Sequence, residues 1–483
     1  MSVNPLAPSW LRHPDDANAL AANVWSRSAS RSDDGELVIA GLRATEIVAT
    51  YGTPVYVVDE ADVRSRARGI RAAFDDAFAA IGSSARVYYA GKAFLSTRVA
   101  AWMIEDGLNI DVCSAGEFAV AVAGGADPAR LGLHGNNKSI SEIDRAVSAG
   151  IGAIVIDSVV EVERVAEAAS RHGRVQSVRL RVNSGVHAHT HEYLATARED
   201  QKFGIPLAEV EGVVAQIRSH DSLEFLGLHS HIGSQIFESD GFAEAASRLF
   251  DVHARLLEGG PVPELNLGGG FGIAYTSADD ALPVDVLATR IAAIVAAAAK
   301  AHGVPVPIVA VEPGRSIIGP STTTLYEVGT IKDVLVSVPE TAVPEEAVRE
   351  ALEGLEGQTA TRKYVSVDGG MSDNIRPALY AADYSARIAN RSSDADPALV
   401  RVAGKHCESG DIVVHAEYLP GDIAPGDLLA VPGTGAYGWA MSSNYNYLAR
   451  PPVIAVTDGQ ARLLVRGETE ADLLSRDAGL DAE

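Results

Sequence analysis

The segment RVYYAGKAF, residues 86–94, joins an apolar run to a glycine and a lysine. Its first five residues have the composition of a buried β-strand, and Lys92 follows directly after Gly91. A lysine in such a place is usually salt-bridged, or extends its ammonium group to water. The alternative is an amine that loses its proton in a desolvated site and bonds covalently to a carbonyl compound. The segment alone leaves both interpretations open.

Seven further apolar runs follow, and each ends in glycine or polar residues. They are LNIDVCS, LGLHGNN, AIVIDS, VRLRVN, FLGLHSHIGS, ELNLGGG and PIVAVEPGR. The stretches between them, such as STRVAAWMIEDG and SEIDRAVSAG, place apolar residues at helical spacing. Eight strands alternating with helices over roughly residues 85–315 predict a closed (β/α)8 barrel, because helix-linked parallel strands bury both faces of their sheet. An open doubly wound sheet is the alternative. The polar residues at the carboxyl ends of the strands favour the barrel.

The pattern changes beyond about residue 320. The runs TTTLYEVGTIKDVLVSV, KYVSVDGG, DIVVHAEYLP, DLLAVPG and PPVIAVTDGQARLLVR are strand-like without regular helices between them, which predicts a mostly antiparallel β-domain. The predicted domains are an N-terminal segment, 1–60, whose strand PVYVVDE partly joins the β-domain, the barrel, 61–320, and the β-domain, 321–483. Residues 339–362 form an acidic insertion, for which a solvated helix or loop without chemistry is predicted.

The composition is that of a globular protein of 483 residues, 47% hydrophobic and 22% charged. A formal net charge of −24 argues against nucleic acid or an anionic membrane as the main partner. Cys113 and Cys407 match no zinc or disulfide pattern, which favours a reducing compartment, and Cys113 is expected to be a packed core thiol. The start of the chain lacks the pattern of a secretory signal, and the stretch RIAAIVAAAAKAHG is too short to span a bilayer. A cytoplasmic protein is therefore expected.

The ends of the predicted strands bring together the parts of one site. The glycines at 268–270 end the seventh strand and leave backbone amides uncovered, which suits the close approach of a phosphate. HIGS, residues 231–234, ends the sixth strand with a hydroxyl, and EPGR, residues 312–315, ends the eighth with a carboxylate, a turn and an arginine. A phosphate anchor, the amine of Lys92 and the carboxylate of Glu312 together suggest pyridoxal 5'-phosphate.

Several motifs carry a resemblance to a known family: YAGKA, HIGSQ, GGGFG, EPGR, CESGD at 407–411 and GAYGWAMSSNYN at 435–446. From about residue 50 to 455 the chain resembles the alanine-racemase-like decarboxylases that use pyridoxal 5'-phosphate, and CESGD and DGGMSDNIRPALY are its most specific matches. The resemblance implies a homodimer in which Cys407 and Glu408 reach the active site of the other subunit. It implies no metal. The implied catalytic residues are Lys92, which carries the cofactor, and Cys407, a proton donor; the implied cofactor-binding residues are Lys92, His231, Ser234, Gly268, Gly269, Gly270, Glu312, Gly314, Arg315 and Tyr437; the implied substrate-binding residues are Arg315, Arg376, Tyr380, Glu408 and Tyr437.

The far end of the substrate pocket decides the expected substrate. Glu408 suits a distal ammonium group, and Arg376 suits a distal carboxylate through bidentate pairing. Tyr380 follows Arg376 by four residues, a spacing that can place both side chains on one side of a turn or short helix. A substrate with both groups at its far end is meso-2,6-diaminopimelate, whose decarboxylation yields L-lysine and carbon dioxide in the last step of lysine biosynthesis. A broader basic amino-acid decarboxylase, acting on ornithine, lysine or arginine, is the alternative.

Alternating histidines support a different class of enzyme. Alternation on an extended chain points side chains the same way, as a metal site needs. The histidines concerned are His187, His189 and His191, and then His229 and His231. A metal-dependent barrel hydrolase is therefore an alternative, although it leaves Lys92, the glycine turn and CESGD without a role. A non-catalytic relative that binds the cofactor is a third hypothesis.

Overall fold

The computed structural model describes residues 4–186, 202–338 and 359–481. Most of the predicted acidic insertion, residues 339–358, lies outside the described residues, as do His187, His189 and His191. The chain divides into two compact units. The barrel unit comprises Arg64–Ile273 and Ala281–Ile317, and the β-unit comprises Met1–Val63, Ala274–Asp280 and Ile318–Glu483.

Short elements precede the barrel, and the first three strands form a small antiparallel sheet. The elements are β1 (Ser30–Arg31), β2 (Leu37–Ile39), β3 (Leu42–Arg43), α1 (Ala44–Tyr51) and β4 (Val55–Asp59).

Strands and helices alternate through the next part of the chain, as the hydrophobic pattern predicts. The elements are α2 (Glu60–Ala79), β5 (Ala85–Ala90), α3 (Thr97–Glu105), β6 (Asn109–Val112), α4 (Ala115–Ala123), β7 (Leu131–Leu133), α5 (Ile140–Ala149), β8 (Ala153–Ile156), α6 (Val159–Arg171), β9 (Gln176–Asn183), β10 (Ile205–Pro206), α7 (Val210–Arg218), β11 (Leu223–His229), α8 (Asp240–Glu258), β12 (Glu264–Asn266), α9 (Val284–His302), β13 (Ile308–Val311) and α10 (Arg315–Ile318).

Eight of these strands close into a parallel barrel. The order is β5-β6-β7-β8-β9-β11-β12-β13, and β13 pairs back with β5 through Val309 and Ala85. The short strand β10 pairs with β9 outside this ring. The predicted (β/α)8 barrel is confirmed, and the open sheet is wrong. Closure leaves no sheet edge, which accounts for strands such as β8 that are buried along their whole length.

Local sequence signals set the limits of the barrel helices. Helix α5 begins after Ser139, whose side chain accepts from the backbone N–H of Glu142 while the Glu142 carboxylate accepts from that of Ser139. The helix ends at Gly150, which has a φ of 79°, a conformation that favours glycine. Because such caps define where a helix begins and ends, they also define the length of the loops that join it to the neighbouring strands.

The β-unit contains mainly antiparallel strands, which confirms the predicted class of the second domain. Its later elements are β14 (Thr322–Ser337), β15 (Thr359–Val367), α11 (Arg376–Tyr380), β16 (Arg387–Ile388), β17 (Pro397–Ala403), β18 (Ile412–Pro420), β19 (Leu428–Pro432), β20 (Val453–Thr457), β21 (Gln460–Val465) and α12 (Glu470–Leu474).

The main sheet of the β-unit has the order β18-β17-β15-β14-β4-β20-β21, and β19 joins it by pairing with β14 and β16. Strand β4 pairs with β14 and with β20, so a strand that precedes the barrel in sequence lies in this sheet. Only two pairs, β15–β17 and β20–β4, are parallel among the described strands of the unit. Buried residues of β4, β14 and β20, including Val57, Leu325 and Ile454, form its core. None of the helices in the described ranges combines the length and apolar character that crossing a membrane requires.

Candidate active site

Lys92 lies directly after the first barrel strand. Strand β5 ends at Ala90, and Gly91–Ala93 form a single 3-10 turn. Lys92 is exposed, whereas Gly91 and Ala93 are buried. A Cβ on Gly91 would lie 2.8 Å from the carbonyl oxygen of Asp111, so the turn requires glycine there. The barrel itself does not bury the Lys92 side chain, and a carbonyl compound has access to it.

The glycine turn after β12 has a backbone that only glycine fits. Gly268 and Gly270 have φ values of 70° and 97°. A Cβ on Gly269 would lie 2.1 Å from the carbonyl oxygen of Glu312. The N–H of Gly268 donates to Asn266 Oδ1 at 2.8 Å, and that of Gly269 donates to His231 Nδ1 at 3.3 Å. Two of the three amides expected to be open to phosphate are thus bonded within the chain, and within the described residues the Gly270 N–H has no acceptor.

Replacing Gly269 with alanine is expected to weaken both the fold and cofactor retention. The added methyl group would overlap the backbone at Glu312, so the ends of β12 and β13 must move apart, at a cost of about 1 to 3 kcal/mol. Thermal unfolding and the cofactor content of the purified protein measure the two effects. Gly212→Ala is the matched control, because a Cβ at that glycine meets nothing within 4 Å. Equal cofactor content in both variants would contradict a role of the turn in binding.

Ser234 and Arg315 meet near the same turn. Arg315 Nη2 donates to Ser234 Oγ at 2.8 Å, and Arg315 is 9% exposed. Gly314 packs against the end of β5, since a Cβ there would lie 2.9 Å from the carbonyl oxygen of Ala90. The backbone N–H of Ala90 also donates to the carbonyl of Pro313 at 3.0 Å. The EPGR turn is therefore attached directly to the end of β5, the strand that precedes Lys92.

Glu312 is the centre of a buried polar cluster. Its Oε1 accepts from Asn266 Nδ2 at 2.7 Å, and lies 3.1 Å from His229 Nε2 and 3.5 Å from His134 Nε2. His134 Nε2 is also 3.1 Å from Asp111 Oδ1. Asn266, His134 and Asp111 were not among the site residues predicted from the sequence. Their signal was their place at the end of β12, just after β7 and one residue before the end of β6, where single polar residues accompany apolar runs.

The ionisation of this cluster follows from burial and contacts. Burial alone would raise the pKa of the Glu312 carboxyl, but His134 and His229 outweigh it and hold that pKa well below its ordinary value. Burial lowers the pKa of His229 to about 4. Burial, together with the positive charge of Lys92, lowers the pKa of His231 well below its ordinary value. At neutral pH the cluster therefore holds an ionised Glu312 and neutral imidazoles at His229 and His231.

His134, His229 and Glu312 also bear on the metal hypothesis. Each offers one ligand atom, and these atoms lie within 4.8 Å of one another. His231 is not part of this group, and its Nδ1 accepts from Gly269. Of the two alternating histidines within the described residues, His229 thus belongs to a group that has the geometry to hold a metal ion.

Arg376 occupies a buried aromatic corner of the β-unit. It is 5% exposed, its Nη1 donates to the Tyr384 hydroxyl, and its guanidinium carbon lies 4.3 Å from the centroid of the Tyr275 ring. No carboxylate in the described part of the chain lies within 4.0 Å of it. Tyr380 lies at the other end of α11 and is 54% exposed. The two residues share a short helix, as predicted, but they do not share one side of it, because Arg376 is buried and Tyr380 is exposed.

Cys407 and Glu408 are exposed in the connection between β17 and β18. Tyr437 is half-buried and has a φ of 63°, which is uncommon for a residue other than glycine and costs backbone strain. Cys113 was expected in the core but is exposed. Cys113 follows the last residue of β6, so it lies at the end of a barrel strand and not within the packed part of the barrel.

A closed barrel with a lysine after the first strand, a glycine turn after the seventh and a carboxylate after the eighth defines the class of pyridoxal-dependent barrel enzymes. Residues 61–319 match the family "Pyridoxal-dependent decarboxylase, pyridoxal binding domain". The chain is 49% identical to the diaminopimelate decarboxylase of Mycobacterium tuberculosis over 464 residues, which cover 94% of this chain and 98% of that one. It is 41% identical to the diaminopimelate decarboxylase of Bacillus subtilis over 451 residues, which cover 92% and 96%.

The fold comparison agrees. The crystal structure of diaminopimelate decarboxylase from M. jannaschii matches with a TM-score of 0.82 at 28% identity, covering 94% of this chain and 98% of that one. The chain belongs to the pyridoxal-dependent decarboxylases and, within them, to the diaminopimelate decarboxylase family. The resemblance found in the motifs is confirmed.

Proposed function

We propose that this protein decarboxylates meso-2,6-diaminopimelate to L-lysine and carbon dioxide, the last step of lysine biosynthesis, with pyridoxal 5'-phosphate as cofactor. One observation carries the choice of substrate. Arg376 is a buried guanidinium with aromatic neighbours and, within the described residues, no carboxylate partner. A buried cation without an anion is costly, and a substrate with a distal carboxylate supplies that anion. Ornithine and lysine, reacting at their own carboxylate, cannot.

The residues at the carboxyl ends of the barrel strands fit the cofactor. The glycine turn packs closely on neighbouring backbone, where a Cβ on Gly270 would lie 2.2 Å from the carbonyl oxygen of Gly233. The Gly270 amide, Ser234 and Arg315 suit the phosphate of the cofactor. His231 suits the face of its ring, because the Gly269 N–H fixes the orientation of the imidazole. When bound, the cofactor supplies an electron sink for the pair of electrons that carbon dioxide leaves behind.

The chain's own groups have separable roles in this proposal. Lys92 holds the cofactor through its amine, and Glu312, ionised at neutral pH, holds a proton on the pyridine nitrogen. Cys407 delivers a proton to the carbon that has lost carbon dioxide. Glu408 binds the distal ammonium group of the substrate.

Recognition of the substrate carboxylates falls to a second set of residues. Arg376 and Tyr380 bind the distal carboxylate. Arg315 contacts both phosphate and substrate, and Tyr437 lies near both. The strained backbone of Tyr437 supports a functional role, because such strain is retained mainly at functional sites.

A substrate panel tests the proposed reaction. Carbon dioxide release is measured with meso-diaminopimelate, ornithine, lysine and arginine at matched concentrations. Turnover of meso-diaminopimelate with hardly any release from the other three is the expected result. Similar rates with ornithine and diaminopimelate would instead assign a broader basic amino-acid decarboxylase, and no release from any of them would leave a non-catalytic relative.

The group formed by His134, His229 and Glu312 favours one other candidate, a metal-dependent hydrolase. Equilibrium dialysis against Zn²⁺, with and without prior loading of pyridoxal phosphate, separates the two. Loading should prevent zinc binding if Glu312 serves the pyridine nitrogen. Stoichiometric zinc binding by a protein that takes up no cofactor would support the hydrolase.

We further propose a cytoplasmic homodimer with shared active sites, in which Cys407 and Glu408 complete the site of the other subunit. Their exposure leaves both side chains available to a second copy, and a reducing compartment preserves the thiol.

Mixing inactive Lys92→Ala and Glu408→Ala chains should restore part of the activity, up to about a quarter of the sites if subunits assort at random. Carbon dioxide release after subunit exchange measures it. Proven exchange without recovery would show that each chain completes its own site.

A further inference from the structure

The exposed pair Cys407 and Glu408 is flanked by two buried polar residues, His406 and Asp411. The connection from β17 to β18 is closed at its base, where the Gly404 N–H donates to the carbonyl of Asp411 at 2.9 Å. The Asp411 N–H donates to the carbonyl of Glu408 at 3.1 Å. Cys407 and Glu408 therefore lie on a short loop whose two ends are joined by backbone hydrogen bonds.

Asp411 fastens this loop to a neighbouring segment, Gly369–Asn374, through its carboxylate. The carboxylate accepts from the backbone N–H of His406 at 2.8 Å and from that of Met371 at 2.6 Å. Gly370 and Gly404 allow the close fit, because a Cβ at either would lie within 2.5 Å of an Asp411 oxygen.

The ring of His406 makes a second attachment with a defined tautomer. Its Nε2 accepts from the backbone N–H of Ser372 at 3.3 Å and lies 2.8 Å from Ser372 Oγ. Because Nε2 is an acceptor, the proton is on Nδ1, which donates to Asn446 Oδ1 at 3.0 Å. The ring also stacks on Tyr445, with centroids 5.3 Å apart. Asn446 has a φ of 53°, so the chain accepts backbone strain where it holds this histidine.

We propose that His406 is a positioning residue for the decarboxylation: it fixes the loop so that Cys407 and Glu408 stand in place for proton delivery and ammonium binding. This inference rests on the proposed function, because it assigns His406 a role only through those two neighbours. His406 is next to Cys407 in sequence and forms hydrogen bonds to two separate segments, 369–374 and 444–446. Loss of the His406 ring therefore allows Cys407, the proposed proton donor, to move out of place.

The experiment compares His406→Ala, His406→Gln and His253→Ala in the full-length, cofactor-loaded enzyme. His253 is the matched control, since it is 1% exposed and lies in barrel helix α8. His406→Ala should lower kcat for meso-diaminopimelate by about 10²-fold, the loss that a misplacement of about 1 Å can cause. His406→Gln, which keeps a polar group near the Nε2 position for Ser372, should recover most of that loss. His253→Ala should lower the unfolding temperature but leave kcat near that of the unmodified protein.

A second readout does not depend on turnover. The rate at which iodoacetamide alkylates Cys407, followed on the peptide by mass spectrometry, should rise severalfold in His406→Ala and stay unchanged in His253→Ala. Unchanged kcat and alkylation in His406→Ala, or equal changes in the alanine variants of both histidines, would overturn the role of His406. If the unmodified enzyme released no carbon dioxide, the proposed function would fail, and a faster alkylation in His406→Ala would still show the attachment of the loop.

Discussion

Lys92→Ala is expected to abolish covalent attachment of the cofactor and to lower kcat by at least about three orders of magnitude, as loss of a covalent catalytic group does. Lys92 is exposed at the end of β5 and lies close enough to His231 to lower the pKa of that imidazole. The measurement is borohydride reduction followed by peptide mass spectrometry, together with carbon dioxide release.

Another lysine on the barrel, Lys138, is the comparison for Lys92. The Lys138 amine donates to the carbonyls of Gly135 and Val155 at 2.6 and 2.7 Å and pairs with Glu161 at 2.8 Å. All three of its N–H donors are therefore occupied. A covalent bond from this amine to a carbonyl compound would break these contacts. Burial lowers its pKa, but these contacts commit the amine to the fold.

Two controls make the result for Lys92 specific. Lys92→Arg keeps the charge without a nucleophilic amine and should be as inactive as the alanine variant. Lys300→Ala, at an exposed position in α9, should keep full activity. Reduced cofactor found on Lys138 or Lys202 of the unmodified protein would refute the assignment.

Arg376→Ala should lower kcat/KM for meso-diaminopimelate by about two orders of magnitude, because a lost charge-assisted contact in a buried site costs about 2 to 3 kcal/mol. Decarboxylation removes the carboxylate nearest the cofactor, so the distal carboxylate remains in the product L-lysine. Inhibition by L-lysine should therefore weaken in the same proportion. Steady-state kinetics with and without added L-lysine measure both effects.

Variants of other arginines separate recognition from structural support. Arg376→Lys keeps the charge but loses the planar fork and its stacking on Tyr275, so it should recover only part of the efficiency. Arg401→Ala is the matched control in the β-unit, because the Arg401 Nε donates to the carbonyl of His415 at 3.0 Å, a contact between the paired strands β17 and β18. A loss of thermal stability in Arg376→Ala with unchanged kcat/KM and lysine inhibition would show that Arg376 only supports the β-unit.

The barrel was predictable because its signal repeats. Eight apolar runs separated by helical spacing, most of them ending in polar residues, favour a closed barrel over an open sheet, and strand-end motifs such as HIGS and EPGR could be placed from their order alone. The surroundings of Glu312 were not predictable to the same degree. Asn266, His134 and Asp111 are single polar residues in three different strand segments, and nothing local to any of them indicates that they meet.

The sequence by itself determined the order of strands, the glycine turn and the placement of Lys92, because hydrophobic period and glycine conformation act over a few neighbouring residues. Only the tertiary structure decided which polar groups of the site have hydrogen-bond partners within the chain. It showed that the amides of Gly268 and Gly269 are taken by Asn266 and His231. It also buried Arg376 while leaving Tyr380, four residues away, exposed. Hydrogen-bond partners and burial depend on residues far apart in the chain, so they exist only once the strands have closed around them.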